Sequence, residues 1–223
     1  MTIYERALNF IADGDIIGVG SGRASAEFTK LLGARVRAGL HVRGVPTSQA
    51  AAALMQQVGI PITSLAEAPQ LVVDFDGADE VDPNLDLIKG YGRALVREKI
   101  VAASAKKLVI LVGPNKIVPV LGSRGKLPVE VVPFALPLCV RRLRDLGFDP
   151  VPFEKDGKLS LSDNGNAILD CGLKPIARPA DLEASIRAIP GVVGTGLFLG
   201  MAHVVLIGDE QFNLTAERTR PGS

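Results

Sequence analysis

The stretch Leu71-Val72-Val73-Asp74-Phe75-Asp76-Gly77-Ala78-Asp79-Glu80 sets the reading of this chain. An apolar, β-branched run of this length is expected to be a buried strand, and it ends in carboxylates. In open α/β sheets, ligands bind beyond the carboxyl ends of strands. Alternation along a strand puts Asp74 and Asp76 on one face and Phe75 on the other. Gly77 then permits a sharp turn that brings Asp79 back toward Asp76. Paired carboxylates at a strand end suit acid/base chemistry, because their mutual repulsion spreads their pKa values. The plainer alternative is an acid-rich surface turn.

The same rhythm extends outward on both sides. Strands are expected at Asp15–Val19, Leu40–Val45, Ile60–Ser64 and Leu71–Phe75, and a continuous apolar one at Leu108–Val112. Helical patterns fall between them at 1–15, Ala24–Leu32, after Thr47 or Ser48 as far as Gly59, and Ala94–Ala105. Such alternation implies a Rossmann-like parallel sheet with helices on its faces. From Lys126 the order changes to Leu127–Val132, a helix at Leu136–Leu146, strands at Lys158–Ser162 and Ala167–Leu169, and a helix at Asp181–Ala188. That order fits a split βαβ unit. The expectation is therefore an α/β chain in two domains. Residues 1–125 with 200–223 form a catalytic Rossmann-like domain, to which Val204–Gly208 returns. Residues 126–199 form a smaller ferredoxin-like α+β domain.

Composition narrows the chemistry. With 25 Lys plus Arg against 24 Asp plus Glu, the net charge of +1 gives no global field for nucleic acid or an anionic membrane. Aromatics at 4%, with no Trp, leave little for base stacking. Two cysteines, Cys139 and Cys171, and two histidines, His41 and His203, are too few for a disulfide framework or for most zinc enzymes. No apolar leader segment or unbroken 20-residue apolar helix is apparent. A cytoplasmic protein acting on a small molecule is expected. Charge is uneven, however. From Ile16 to Ala66 the acid Glu27 stands alone against five bases, while Glu67 to Asp86 holds seven acids and no base. Either these are two solvated faces, or a site has a cationic end for phosphate and an anionic end for proton transfer.

Three further segments carry candidate chemistry. Gly18-Val19-Gly20-Ser21-Gly22 follows a strand and opens a helix, so its amides can face an anion. Arg23 stands where a dinucleotide motif needs a third glycine, and no acid follows about 20 residues on. A phosphate turn without a nucleotide is expected, or simply a tight connection. Lys89-Gly90-Tyr91-Gly92-Arg93 leads into a helix bearing Glu98, whose neighbours Ala94, Leu95, Val101 and Ala102 are all apolar. A carboxylate on that face should lose water and gain basicity, unless it serves a structural ion pair with Lys89 or Arg97. Lys116 after Leu108–Val112 is a candidate point charge for phosphate.

The order of these segments resembles the type A ribose-5-phosphate isomerase family over nearly the whole chain. The matching stretches are GDIIGVGSG at 14–22, GVPTS at 44–48, DGADEVDP at 76–83, LIKG at 87–90, REKIVA at 97–102, LPVEVVP at 127–133, DNGNAILD at 163–170 and IPGVVGTGLF at 189–198. The resemblance implies an aldose–ketose isomerisation through a cis-enediol(ate) that uses no metal and no cofactor, in a two-domain subunit forming a homodimer or tetramer. It implies Glu98 as the base between C1 and C2. Asp76, Asp79 and Lys89 would open the sugar ring, move protons between O1 and O2 and stabilise the oxyanion. Gly20, Ser21, Gly22, Arg23, Ala24 and Lys116 fall on phosphate and substrate contacts, Gly77 and Ala78 on the acidic turn, and Gly90, Tyr91 and Gly92 on the loop beneath the sugar.

The family's phosphate turn GTGST reads Gly20-Ser21-Gly22-Arg23-Ala24 here, and its KGGG loop reads Lys89-Gly90-Tyr91-Gly92, followed by Arg93. Arg23 and Arg93 are expected either to grip phosphate or, with Tyr91, to reshape the pocket. Ribose 5-phosphate is the expected substrate, with relaxed or shifted sugar preference. Two other readings stand beside it. One is a non-catalytic sugar-phosphate sensor of the same fold. The other is a Mg-dependent phosphohydrolase, in which Asp74 of Val73-Asp74-Phe75-Asp76-Gly77 is the nucleophile.

Overall fold

The computed structural model describes residues 1–221. In chain order its strands are β1 (Ile16–Val19), β2 (Arg43–Pro46), β3 (Val73–Asp76), β4 (Glu80–Val81), β5 (Leu87–Ile88), β6 (Leu108–Val112), β7 (Lys126–Val131), β8 (Asp149–Pro152), β9 (Glu154–Lys155), β10 (Lys158–Leu159), β11 (Ala167–Gly172), β12 (Val192–Thr195), β13 (Leu197–Phe198), β14 (Val204–Gly208) and β15 (Leu214–Thr219). The α-helices are α1 (Ile3–Leu8), α2 (Arg23–Arg37), α3 (Gln49–Val58), α4 (Leu95–Ser104), α5 (Leu136–Asp145) and α6 (Pro179–Arg187). No helix among the described residues is long and apolar enough to cross a membrane.

The chain divides into two compact units. One holds Met1–Ala78, Arg97–Ile117 and the stretch from Gly200; the other holds Asp79–Val96 and Val118–Leu199. Relative to the expected boundary at 125, the second unit also takes in Asp79–Val96 and Val118–Gly125.

The first unit is built on a six-stranded sheet ordered β15-β14-β6-β3-β1-β2, parallel throughout except for β15. Its inner strands β3, β6 and β14 are buried along their length, as expected of strands covered on both faces. On one face Phe28 and Leu32 of α2 pack onto Ile17, Val19, Phe75 and Leu111, with the Phe28 and Phe75 rings 4.5 Å apart. On another, Val101 of α4 clusters with Val45, Ala68 and Leu71. The spatial order turns back on itself between β1 and β3, which makes their carboxyl ends the place for a ligand.

The second unit holds a four-stranded antiparallel sheet ordered β12-β7-β11-β8, with chain order β7-α5-β8-β11-α6-β12. This is the split βαβ arrangement of a ferredoxin-like domain. Its core joins Val129 and Val131 of β7, Leu169 and Cys171 of β11, Cys139 and Leu143 of α5 and Ile186 of α6. A second, three-stranded sheet ordered β13-β5-β4 lies in the same unit.

Several elements differ from expectation for identifiable reasons. The first helix ends at Asn9, and Phe10 and Ile11 turn inward onto the core instead of continuing it. Residues 60–64 make only a bridge between Ile62 and Gly44, and no strand. Helix α2 runs on to Arg37, past Gly33, where Val58 of α3 approaches closer than a Cβ would allow. Strand β8, unexpected, carries Pro150 and Pro152 on a sheet edge, where missing donors cost nothing.

Candidate active site

In the first unit the chemistry gathers where β1 and β3 end. Gly18 pairs with Asp74 in the parallel register, and a Cβ on Gly18 would strike the Asp74 carboxylate; a Cβ on Gly20 would strike that of Asp76. Two glycines expected to admit an anion therefore first make room for the neighbouring strand's acids. Asp76, at 1% exposure, accepts through Oδ1 from the Ser21 amide (3.2 Å), the Gly77 amide (2.7 Å) and the Ser25 hydroxyl (3.1 Å). The Gly20 amide donates to Phe75 O at 2.8 Å. The glycine-rich turn is thus folded around a buried carboxylate.

Beyond it, Gly22 caps α2 at φ +91°, and no side chain caps the helix. The first-turn amides of α2, which include those of Arg23 and Ala24, therefore lack a side-chain acceptor there. Arg23 is exposed, with its guanidinium 5.4 Å from the centre of the Phe212 ring. The Ser21 hydroxyl bonds Thr47 (2.8 Å) and donates to Ser48 (2.7 Å), and Ser48 also accepts from the Ala51 amide. Thr47 and Ser48 were legible as helix-cap candidates and as part of the matching stretch at 44–48, but neither reading links them to Ser21.

Lys116 closes a 3₁₀ turn, Pro114–Lys116, just past β6, on the same carboxyl edge as Asp76. Glu98 lies in the first turn of α4 and is 4% exposed. Its neighbours Ala94, Leu95, Val101 and Ala102 are all buried too, so the apolar face foreseen from the spacing surrounds it.

In the second unit the site residues are held by a hairpin that sequence reading missed. Strands β4 and β5 pair antiparallel, Glu80 opposite Ile88 and Val81 opposite Leu87, with Asp79 and Lys89 just beyond their open end. The Asp79 amide donates to Ile88 O and the Lys89 amide to Gly196 O, both at 2.8 Å. Asp82 closes the turn, accepting from the Asn84 and Asp86 amides at 2.9 Å; burial raises its pKa above the usual carboxylate range. Glu80, fully buried, accepts from the Gly122 and Arg124 amides (2.6 and 2.7 Å) and so ties down that loop. Lys89 is buried, its Nζ 5.4 Å from the Phe198 ring centre. Ala78 is buried beside Gly77.

After Lys89, Gly90 adopts φ +101° where a Cβ would press on Leu95. The Tyr91 amide donates to Asp79 Oδ2 (2.9 Å) and the Tyr91 hydroxyl to Lys126 O (3.1 Å). Burial, then the charges of Glu80 and Asp79, push the Tyr91 phenol up to about 12. Gly92 has open space around it. Arg93 stands at φ +72°, a left-handed conformation that costs an L-residue about 1–2 kcal/mol. Its guanidinium makes a two-pronged pair with Asp170 (2.6 and 2.8 Å) and lies 3.8 Å over the Phe153 ring. Arg93 is committed to this pair, so the expected grip on phosphate is not what its guanidinium does. Burial opposes ionisation of Asp170, but Arg93 and Lys126 prevail and hold its pKa below the usual value.

The charge asymmetry is also resolved. Lys30 pairs with Glu27 at 2.7 Å and Arg37 donates to Val58 O, so part of the basic stretch serves helix surfaces. Among the acids, Asp74 and Asp76 lie on β3, Asp79 accepts from the Tyr91 amide, Glu80 and Asp82 hold loops, and Glu67 accepts from the Thr63 hydroxyl. His41 pairs with Asp13, and His203 Nδ1 accepts from the Leu108 amide; both cysteines are buried packing residues. Asp74 is fully buried against β1, so it has no access for the nucleophilic role of a phosphohydrolase.

Residues 43–212 match the family model described as ribose 5-phosphate isomerase A (phosphoriboisomerase A). The chain is 50% identical over 206 residues to a ribose-5-phosphate isomerase A of Roseiflexus castenholzii, covering 91% of this chain and 88% of the relative. It is 47% identical over 210 residues to that of Gloeobacter violaceus, covering 94% and 91%. The chain belongs to the ribose 5-phosphate isomerase A family. The family fold is matched in three dimensions by the isomerase of Methanocaldococcus jannaschii, with 37% identity, TM-score 0.91 and coverage of 98% of this chain and 96% of that one. A D-ribose-5-phosphate isomerase in complex with phospho-erythronic acid gives TM-score 0.92 at 37% identity, over 97% and 96%. With the family established over both units, neither the sensor nor the phosphohydrolase reading has support.

Proposed function

We propose that this chain interconverts D-ribose 5-phosphate and D-ribulose 5-phosphate through a cis-enediolate, with Glu98 as the base. The observation that carries this is the burial of Glu98 on an apolar helix face within a chain of this family. A carboxylate stripped of bulk water takes up a proton more readily, as a base that removes hydrogen from the carbon next to a carbonyl must. Glu98 takes the proton from C2 of the open-chain aldose and returns it to C1. Lys89, a buried cation, stabilises the oxygen that becomes negative in the enediolate. Asp79, less buried, exchanges protons with the sugar hydroxyls during ring opening and between O1 and O2. Asp76, with Oδ1 committed to three donors, keeps the Gly20–Ala24 turn in shape. That turn, through the uncapped amides of α2, and Lys116 receive the phosphate. The C2–H to C1–H transfer is the step to test. Ribose 5-phosphate incubated with the enzyme in deuterated water should yield ribulose 5-phosphate with deuterium at C1, and no turnover of ribose 5-phosphate would reject the assignment.

The subunit is further proposed to act in the cytoplasm as a homodimer or tetramer, associating through the smaller unit. Phe134 at 97% exposure, with exposed Val132 and Val151, supports a covered surface there. Light scattering would check it: a monomer at micromolar concentration removes this part.

A further inference from the structure

Four side chains around the loop Lys89–Arg93 form one connected structure. The Arg93 guanidinium is gripped on two prongs by Asp170 and lies flat on Phe153. Lys126 Nζ reaches the same Asp170 at 3.4 Å and sits 4.2 Å from the centre of the Tyr91 ring. Tyr91 in turn is fastened at both ends, by its hydroxyl on Lys126 O and by its amide on Asp79 Oδ2. Arg93 keeps a left-handed backbone that its side chain does not prefer, and its amide donates to Gly90 O at 3.0 Å. Strain of this kind persists only where the surroundings over-determine it, and the ion pair with Asp170, 77 residues distant, supplies the determination.

We propose that Arg93, Asp170, Lys126 and Tyr91 act as a latch that fixes the loop following Lys89 and, through the Tyr91 amide, orients the Asp79 carboxylate. Arg93 and Asp170 are then positioning residues for the proton transfers of the isomerisation; this rests on the isomerase reading above. The physical logic is preorganisation. A glycine-containing loop bearing a reacting group pays for its freedom in misaligned encounters, and displacement by an ångström is enough to slow a positioned group strongly. A fork-to-carboxylate pair, unlike a point charge, fixes direction as well as distance.

The test uses the full chain and the variants Arg93→Ala, Asp170→Asn, the double variant and Tyr91→Phe. Arg93→Ala and Asp170→Asn should each lower kcat about 10-fold with KM for ribose 5-phosphate little changed. The double variant should be no worse than either single one, since the pair works as a unit. Amide exchange at Tyr91 should quicken at least about 10-fold in both single variants. Tyr91→Phe, which removes one bond and little volume, should move both readouts the same way but less. If kcat falls only in proportion to the folded fraction found by urea titration, or if the two single losses add, the positioning role is overturned. Should the wild type fail to isomerise ribose 5-phosphate, the functional reading falls instead. Exchange at Tyr91 then decides the latch alone: a rate unchanged in Arg93→Ala and Asp170→Asn overturns it.

Discussion

The two units hold their site residues by opposite means. In the parallel unit, Asp76 is placed by register: its strand is flanked by two others, and Gly18 of β1 and Gly20 just past it leave the carboxylates their space. In the antiparallel unit, Asp79 and Lys89 sit on a hairpin of two-residue strands, fixed by side-chain bonds to distant loops. The first arrangement begins with the register of the sheet, and three local donors then hold the Asp76 carboxylate. The second is local, and single side chains tune it. Within one chain, then, placement by packing and placement by polar contacts can be compared.

The most severe break comes at the base itself. Glu98→Gln keeps shape and burial while removing the proton acceptor, and kcat should fall at least about 100-fold with a smaller change in KM. Steady-state kinetics checks it, and a loss confined to KM would detach Glu98 from the chemistry.

Gly20→Ala tests placement by packing. The added methyl meets the Asp76 carboxylate, so urea titration should show about 1–3 kcal/mol of destabilisation. Gly92→Ala, in open space in the other unit, is the matched control and should stay within about 0.5 kcal/mol. Equal losses at both positions would remove the contrast between the units.

The phenol of Tyr91 sharpens the polar side of the comparison. Its folded pKa of about 12 lies above the ordinary 10, so its contribution to stability is complete below pH 10 and drains away as pH rises from 10 to 12. Wild type should therefore lose stability relative to Tyr91→Phe across that window, and parallel curves would contradict the assignment. Smallest of all, Lys30→Ala at the exposed Glu27 pair should cost no more than about 0.5 kcal/mol by the same titration.

How far the sequence reveals this arrangement depends on the range of the interactions. Leu108–Val112 is a strand with the bounds expected, because an unbroken apolar run fully covered on both faces states its own role. The burial of Glu98 was likewise readable, since helix spacing is local. The hairpin of β4 and β5 was not: two residues cannot show a period, and β13, which pairs with β5, lies more than 100 residues later. Nor was the partner of Arg93 readable, since charge alone does not distinguish Asp170 from a phosphate. The glycines of Gly18-Val19-Gly20 were seen correctly as a demand for space, but what fills that space belongs to another strand.

That last feature ties two parts of the chain together over evolutionary time. A larger side chain at 18 or 20 is tolerable only if the acid at 74 or 76 shrinks in the same lineage, and an acid regained later would find its place already taken. Neither glycine can gain bulk alone, since any side chain added there meets an acid of the neighbouring strand.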